Sequence, residues 1–423
     1  MAHSILSFWL LVAGLVPHTG GKPTPPTSLT QSIPRTPGIQ RQPPLIFNNQ
    51  KFALSLYRQL PVINENKNAI LSPLSITVPL TLLAFQDKPE ACHLVLKNLG
   101  FRVTKDLDTN APMRYGNQLG ALLQDEQCGI HTGSLLFMDK KLKPERKFLA
   151  QAQSAYNSDI ILISLGDYEL AHKQINSAMR DRTHGKIKRL LRDVKPLPNL
   201  VLANYIFFKG KWKYRFNPKL TEMKYFTMRE GARIMVPMMQ RVGWFRFQYL
   251  SHLHSYVLQM PYTCNISGVF ILPEERRFED CEKALLQESF DTWVKPLPLS
   301  RGQLFFPKFS ILAALHLENF KYATSNLNLF YEHMDLSGIT MPKAPLRVTT
   351  AVHRVELTMD EDGAEEENIS DFQSIPKPLL HTLHFNRPFI VLILEEASHN
   401  LLFMGKVMNP TSIRSVPKDE SRT

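Results

Sequence analysis

Residues 201–212 read VLANYIFFKGKW, and this stretch decides the fold. Positions 201–208 form a nearly continuous apolar run, which suits a strand covered on both faces. Lys209, Gly210 and Lys211 then end it in a turn. Downstream, residues 245–249, 256–260, 268–272, 303–309 and 389–394 read as further strands. Upstream the spacing turns helical. Phe47, Leu54, Leu56, Tyr57 and Leu60 recur along one face, and Ser72 with Pro73 forms an N-cap followed by a first-turn proline. A strand is predicted over 133–138, a helix over 144–155, and a helical span over 174–191 interrupted at Gly185. Helices dominate the first half and strands the second, which indicates an α+β domain with large sheets.

The chain has 423 residues, 43% of them hydrophobic, enough for one large core or two to three ordinary ones. It shows no strong internal linker after residue 46 and no internal repeat, so a single large unit is expected. Residues 1–21 read as a secretory signal, with an apolar stretch at 5–16 and small residues Gly20 and Gly21 at its end. That stretch is too short to span a bilayer, and no later one reaches the required length. The mature protein is therefore expected to be soluble, extracellular and not membrane-bound. Residues 22–45 carry seven prolines among Thr, Ser and Gln and read as a flexible tail; folding is expected to begin near Ile46.

Cys92, Cys128, Cys264 and Cys281 allow three complete pairings, with free buried thiols as the alternative. None forms a CxxC pair, and no metal site is expected. Two N-glycosylation sequons begin at Asn265 and Asn368. The chain has no GxSxG elbow, HExxH helix or phosphate-binding glycine loop, so it does not read as an enzyme, and no cofactor is expected.

Several separated motifs resemble one family. They are Asn204 to Trp212, Val236-Pro237-Met238-Met239, Phe385-Asn386-Arg387-Pro388-Phe389, and Leu402 to Pro410. Ser72-Pro73-Leu74-Ser75-Ile76, Ile175-Asn176 and Thr183-His184-Gly185-Lys186-Ile187 complete the set. Over residues 46–411 the chain resembles the serpin family, in particular its antitrypsin-like secreted branch, which leaves 412–423 as a C-terminal tail. The resemblance implies a monomeric domain of three β-sheets and about nine helices, with an exposed reactive-centre loop at about 361–385. In inhibitory members a protease cleaves this loop, the loop inserts into the central sheet, and the protease is trapped as an acyl-enzyme. Ser72, Ser75, Asn204 and His353 fall on the family positions that control opening of that sheet; buried polar groups serving only stability are the alternative.

The loop itself reads TMDEDGAEEENISDFQSIPKPLLHTLHF over 358–385. Residues 356–371 hold eight acidic residues and no Lys or Arg, in a chain of formal net charge +12. Glu361 and Gly363 match the hinge of an inhibitory loop, and Ala364 is a tolerable small residue. The next positions should be small, but Glu366 falls where a side chain must enter the core. A strand alternates its faces, so Glu366 occupies one face and Glu365, Glu367 and Asp371 the other. Burying an unpaired carboxylate costs several kcal/mol. The resemblance places the bait bond at Lys377-Pro378. A basic residue there suits a trypsin-like protease, but proline after the scissile bond opposes cleavage.

The expectation is a serpin-type protein that does not inhibit and acts by binding a protein, a polysaccharide or a small hydrophobic ligand. The alternative is inhibition of a trypsin-like serine protease through Lys377. Between Arg180 and Lys195 lies a basic cluster in which Lys186, Lys188, Arg189 and Arg192 could form an anion patch, with Lys188 and Arg192 on one helical face. A solvated charged face is the alternative, and nucleic acid is not an expected target. The resemblance also sets the turn His399-Asn400, with Arg387 nearby, where some antitrypsin-like members carry hormones; nothing in these residues specifies a ligand, and an ordinary surface turn is expected.

Overall fold

The apolar run around Asn204 becomes the central strand of a five-stranded sheet, and every residue from Leu200 to Phe208 is buried. The structure is a computed structural model that describes residues 46–60, 66–103, 110–123, 128–190, 200–287, 293, 295–320, 334–365 and 381–411. These belong to one compact unit, Leu45–Thr423.

In chain order the elements begin with α1 (Gln50–Tyr57), β1 (Ala69–Leu71), α2 (Pro73–Ala84), α3 (Pro89–Leu99), α4 (Ala111–Leu123) and β2 (Ile130–Asp139). Next come α5 (Arg146–Tyr156), β3 (Ser158–Ile163), α6 (Tyr168–Arg182), β4 (Leu200–Phe208), β5 (Trp212–Tyr214), β6 (Glu222–Thr227) and β7 (Arg233–Leu250). They are followed by β8 (Ser255–Pro261), β9 (Ile266–Pro273), α7 (Phe278–Gln287), β10 (Leu299–Pro307), β11 (Phe309–His316) and β12 (Val348–Met359). The chain closes with β13 (Gly363–Glu365), β14 (His381–His384), β15 (Phe389–Glu395) and β16 (Leu401–Val407). One sheet runs β1-β16-β15-β9-β8-β7-β10-β14 with β6 also on β7, a second runs β11-β12-β4-β2-β3, and β13 pairs with β5. The α+β class and the three sheets agree with the sequence reading. Seven α-helices, rather than about nine, occur among the described residues.

The strand β4 shows why a continuous apolar run was needed. Leu200, Leu202, Ile206 and Phe208 join the main core, whereas Val201, Ala203, Tyr205 and Phe207 pack beneath α6 on Ala171, Ile175 and Met179. Helix α2 is buried along its whole length and crosses behind the sheet. Its start follows the sequence signal: the Ser75 amide donates to Ser72 Oγ at 3.2 Å, and Pro73 occupies the first turn.

Two element boundaries differ from expectation. Helix α6 begins at Tyr168, where the Asp167 carboxylate accepts from the Leu170 amide at 3.1 Å, and ends at Arg182. Residues 183–190 are therefore not helical. His184 and Gly185 adopt left-handed φ values of 49° and 81°, and Thr183 Oγ1 accepts from the Ile187 amide, turning the chain onto the sheet. The predicted strand 303–309 is two strands in different sheets, because β10 ends at Pro307 and β11 starts at Phe309.

One disulfide joins Cys128, just before β2, to Cys264 in the β8–β9 turn, with Cα atoms 5.8 Å apart. It ties the five-stranded sheet to the nine-stranded one and closes a segment of 136 residues, worth on the order of 5 kcal/mol through the unfolded chain's lost entropy. Cys92 and Cys281 are buried thiols. Burial, with Asp87 adding to it, pushes Cys92 up to about 12, so it stays protonated and unreactive.

A buried ion pair sits where α1, α7 and β16 meet. Lys406 Nζ lies 3.2 Å from Glu282 Oε1, which also accepts from Tyr57 Oη at 2.8 Å. The Lys406 side chain is 1% exposed. Replacing Glu282 by Val removes the counter-charge from an ammonium that water cannot reach. Urea unfolding should show Glu282→Val destabilised by about 3–5 kcal/mol, and a loss below about 1 kcal/mol would mean that the pair does not hold these elements together.

Candidate functional site: the β4–β12 seam and the loop that leaves it

Strands β4 and β12 run parallel and are paired in register from Val348↔Leu200 to Leu357↔Phe208, with a register shift between Val348 and Thr350. In the middle of this seam His353 stands opposite Asn204. His353 Nδ1 donates to Asn204 Oδ1 at 2.6 Å, and Ser75 Oγ donates to the same oxygen at 2.9 Å. The Asn204 amide nitrogen donates to Gly133 O and Ser134 Oγ on β2. The Ser72 amide donates to His353 Nε2 at 3.1 Å. The four residues singled out from the sequence thus converge in one network linking α2, β2, β4 and β12. All are essentially without solvent exposure.

This network fixes the state of the imidazole. Asn204 Oδ1 can only accept, and the Ser72 amide can only donate, so Nδ1 carries the proton and Nε2 is left as the acceptor. Protonating Nε2 would sever the bond to Ser72 inside the core. Burial accordingly lowers the His353 pKa to about 3.

The loop departs from the end of this seam. Past β12, the Asp360 carboxylate meets Lys209 at 2.8 Å and its carbonyl accepts from Trp212 Nε1 at 2.8 Å. The bond and charge of Asp360 raise the Lys209 pKa. Glu361 meets Lys308 at 2.6 Å and accepts from Thr221 Oγ1 at 2.8 Å. Burial works to raise the Glu361 pKa, but the bonds from Lys308 and Thr221 outweigh it, and the result is lowered. Backbone bonds continue the attachment: Trp212 N to Asp362 O, Phe216 N to Glu361 O, and Arg215 N to Glu365 O. Gly363 and Ala364 lie in β13, which pairs with β5. A Cβ at Gly363 would come within 2.7 Å of the Arg215 backbone, so this close approach requires glycine. Trp212, 1% exposed, anchors the other side by stacking on Tyr262 at 4.1 Å.

The hinge residues Glu361, Gly363 and Ala364 are thus held against β5 and its flanks, outside the β4–β12 seam. Glu366, Asn368, Lys377, Pro378 and Arg192 lie outside the described residues. No sequence signal pointed to Lys209, Trp212, Thr221 and Lys308 as the partners that hold the hinge. They lie roughly 50 to 150 positions from Asp360 and Glu361, so no local spacing pointed to them.

The remaining candidates are placed as follows. Asn265 is exposed in the β8–β9 turn beside the disulfide, as a glycosylation site would require. Lys188 and Arg189 line a surface cleft with α6, but Lys186 lies elsewhere, its ammonium 4.6 Å over the Phe207 ring. Lys188 and Arg189 do not lie on a helix, because α6 ends at Arg182. His399-Asn400 and Arg387 are not neighbours: the seven residues of β15 separate them, about 20 Å of extended chain. Asn400 is instead buried, its Oδ1 accepting from the Asn49 amide at 3.0 Å and its Nδ2 donating to Phe47 O, and Arg387 Nε donates to Pro273 O.

The family model described as Serpin (serine protease inhibitor) matches residues 47–410. The chain belongs to the serpin family. Alpha-1-antitrypsin of Meriones unguiculatus is 33% identical over 387 residues, covering 91% of this serpin and 95% of the relative. Alpha-1-antiproteinase of Rattus norvegicus is 34% identical over 365 residues, covering 86% and 89%. Human thyroxine-binding globulin, solved with thyroxine, matches with a TM-score of 0.74 at 31% identity, covering 86% of this serpin and 98% of that chain.

The depressed His353 pKa gives this serpin a defined acid sensitivity. The unfolded imidazole titrates near 6.5 and the folded one near 3, so between these values only the unfolded state binds the proton. Stability is therefore full above the unfolded pKa and falls as pH drops through this window. Between about pH 7.5 and 4.5 the group alone should remove roughly 3 kcal/mol. Urea unfolding of wild type and His353→Gln at both pH values checks this: the acid-induced loss should be smaller in the variant by that amount. Equal losses would show that His353 does not carry it.

Proposed function

We propose that this serpin-family protein is secreted and acts by binding a partner, without trapping proteases through loop insertion. The observation that carries the reading is the acid on both faces of the loop sequence. Both sides of the seam are covered, by the main core with α2 on one side and by α6 on the other. A strand entering there would bury one face of the 365–371 segment beside apolar side chains. Glu366 would be buried in one register, and Glu365, Glu367 and Asp371 in the other. The attachment of Asp360 to Glu365 along β5 adds to this, since each of its bonds must break before the hinge can enter the seam. A sequon at Asn368 works in the same direction, because a glycan there could not pass into a sheet. Secretion is supported by the apolar segment at 5–16 and by the absence, among the described residues, of any helix long and apolar enough to cross a membrane.

Inhibition of a trypsin-like protease through Lys377 is the second reading. It is favoured by the antitrypsin and antiproteinase relatives and by the match of Glu361 and Gly363 to an inhibitory hinge. The proline at 378 opposes it.

Limited proteolysis within 367–380 by a protease that is not trapped separates the two. The melting temperature should be the same for cut and intact protein, and trypsin should form no complex that survives SDS. A large rise in melting temperature after cutting would mean that the loop inserts despite its carboxylates, and would replace this proposal with inhibition at Lys377.

A further inference from the structure

The end of β4 is fastened to the nine-stranded sheet by the chain itself and, through β2, by the disulfide. The first fastening is the turn 209–211, which carries the chain from Phe208 into Trp212 of β5. Lys211 O accepts from the Thr263 amide in the β8–β9 turn at 2.9 Å, and Trp212 stacks on Tyr262. The second is Cys128–Cys264. Cys128 precedes β2, and the next residue lies directly on the end of β4: Gly129 O accepts from the Lys209 amide at 3.0 Å. Gly129 has a left-handed φ of 74°, and a Cβ there would collide with Lys209 O, so this close approach also requires glycine. On the far side, the Glu396 amide donates to Asn265 O at 2.8 Å, which holds the turn carrying Cys264 in the nine-stranded sheet.

The other side of the seam rests on the same turn. Tyr262, two residues before Cys264, donates its hydroxyl to Sδ of Met359, the last residue of β12, at 2.8 Å. Strand β11, the antiparallel partner of β12, follows β10 with only Lys308 between them, and the Lys308 amide donates to Pro237 O on β7. At this end β11 and β12 therefore move with the nine-stranded sheet. Strands β2, β3 and β4 form a separate block, paired with one another in register. Parting β4 from β12 means turning this block against the nine-stranded sheet. The turn 209–211 alone would serve as a pivot, because a hinge needs only a few residues that absorb the change in φ and ψ. A covalent bond from the neighbouring strand blocks rotation about it.

We infer that the Cys128–Cys264 disulfide is a redox-sensitive lock on the β4–β12 seam. The agent that opens it is a dithiol reductant. Its thiolate attacks the Cys264 sulfur and expels the Cys128 thiolate, and its second thiol then displaces Cys264. Two cysteine thiols form, and the reductant leaves as its own disulfide. The attack has a side to come from: Cys264 is exposed, whereas Cys128 is buried. The lock acts on the seam itself, so it is independent of the carboxylates in the loop.

The test is hydrogen exchange of the full-length, uncut protein, followed by mass spectrometry with and without dithiothreitol. Segments 203–208 and 352–357 face each other across the seam. They should exchange at least about tenfold faster once the disulfide is reduced. Segment 134–138 lies within the moving block and 401–407 within the nine-stranded sheet; both should change by less than about twofold. A Cys128→Ala/Cys264→Ser variant should show the fast pattern without reductant and should not respond to it. Equal acceleration of all four segments would make the disulfide a general stabiliser and overturn the lock, as would an unchanged seam. A disulfide that dithiothreitol leaves intact in the folded protein, with Cys264 closed to alkylation, would overturn the redox sensitivity, and the variant then reads the lock alone. Because the protein stays uncut, these readings are separate from the melting-temperature test of loop insertion.

Discussion

The hydrogen bond from His353 to the Asn204 carboxamide closes the seam between β12 and β4, and much of the structure is arranged to keep it. Ser72 and Ser75 reach it from the capped end of α2, so the start of a buried helix and the middle of a buried sheet share one polar cluster. The Ser72 and Ser75 amides, Ser75 Oγ, Asn204 Nδ2 and His353 Nδ1 each meet an acceptor, which is the condition for a polar group to survive where β4 is covered on both sides. The neutral imidazole is integral to this. It must offer one donor and one acceptor at once, and a protonated ring cannot.

The end of the same seam is governed by charge rather than by burial. Asp360 and Glu361 leave β12 into the ammonium groups of Lys209 and Lys308, and Trp212 binds the backbone between them. Removing the hinge from this position means separating two ion pairs and several backbone bonds. The residues that follow are also acidic. The first hinge carboxylates are satisfied where they lie, and the later ones would be costly wherever a sheet enclosed them. Both facts are what the proposed reading of a loop that stays out of the seam rests on.

The turn after α6 shows how a local break redistributes charge. A helix continuing through Gly185 would have spread its cations around a cylinder. The left-handed residues His184 and Gly185 instead fold the turn back against α6. That reversal sets Lys188 and Arg189 beside Lys173, sends Lys186 over Phe207, and exposes Arg189 O and Leu190 O to Arg354.

Much of the architecture was legible in the residues themselves. The apolar run around Asn204 required a strand covered twice and Ser72-Pro73 required a helix start, because periodicity and local hydrogen bonding are short-range properties. Contacts between distant segments were not legible in this way. Four cysteines permitted several pairings until the fold brought Cys128 to Cys264, and Lys209, Trp212 and Lys308 became hinge partners only once β5 and β11 lay beside the end of β12. His399 and Arg387, close in sequence, were set at opposite ends of a strand. The sequence by itself determined which segments form strands and helices and where charge accumulates. Only the tertiary structure decided which charges meet, because meeting depends on how sheets pair and chains turn, and no spacing along the chain encodes that.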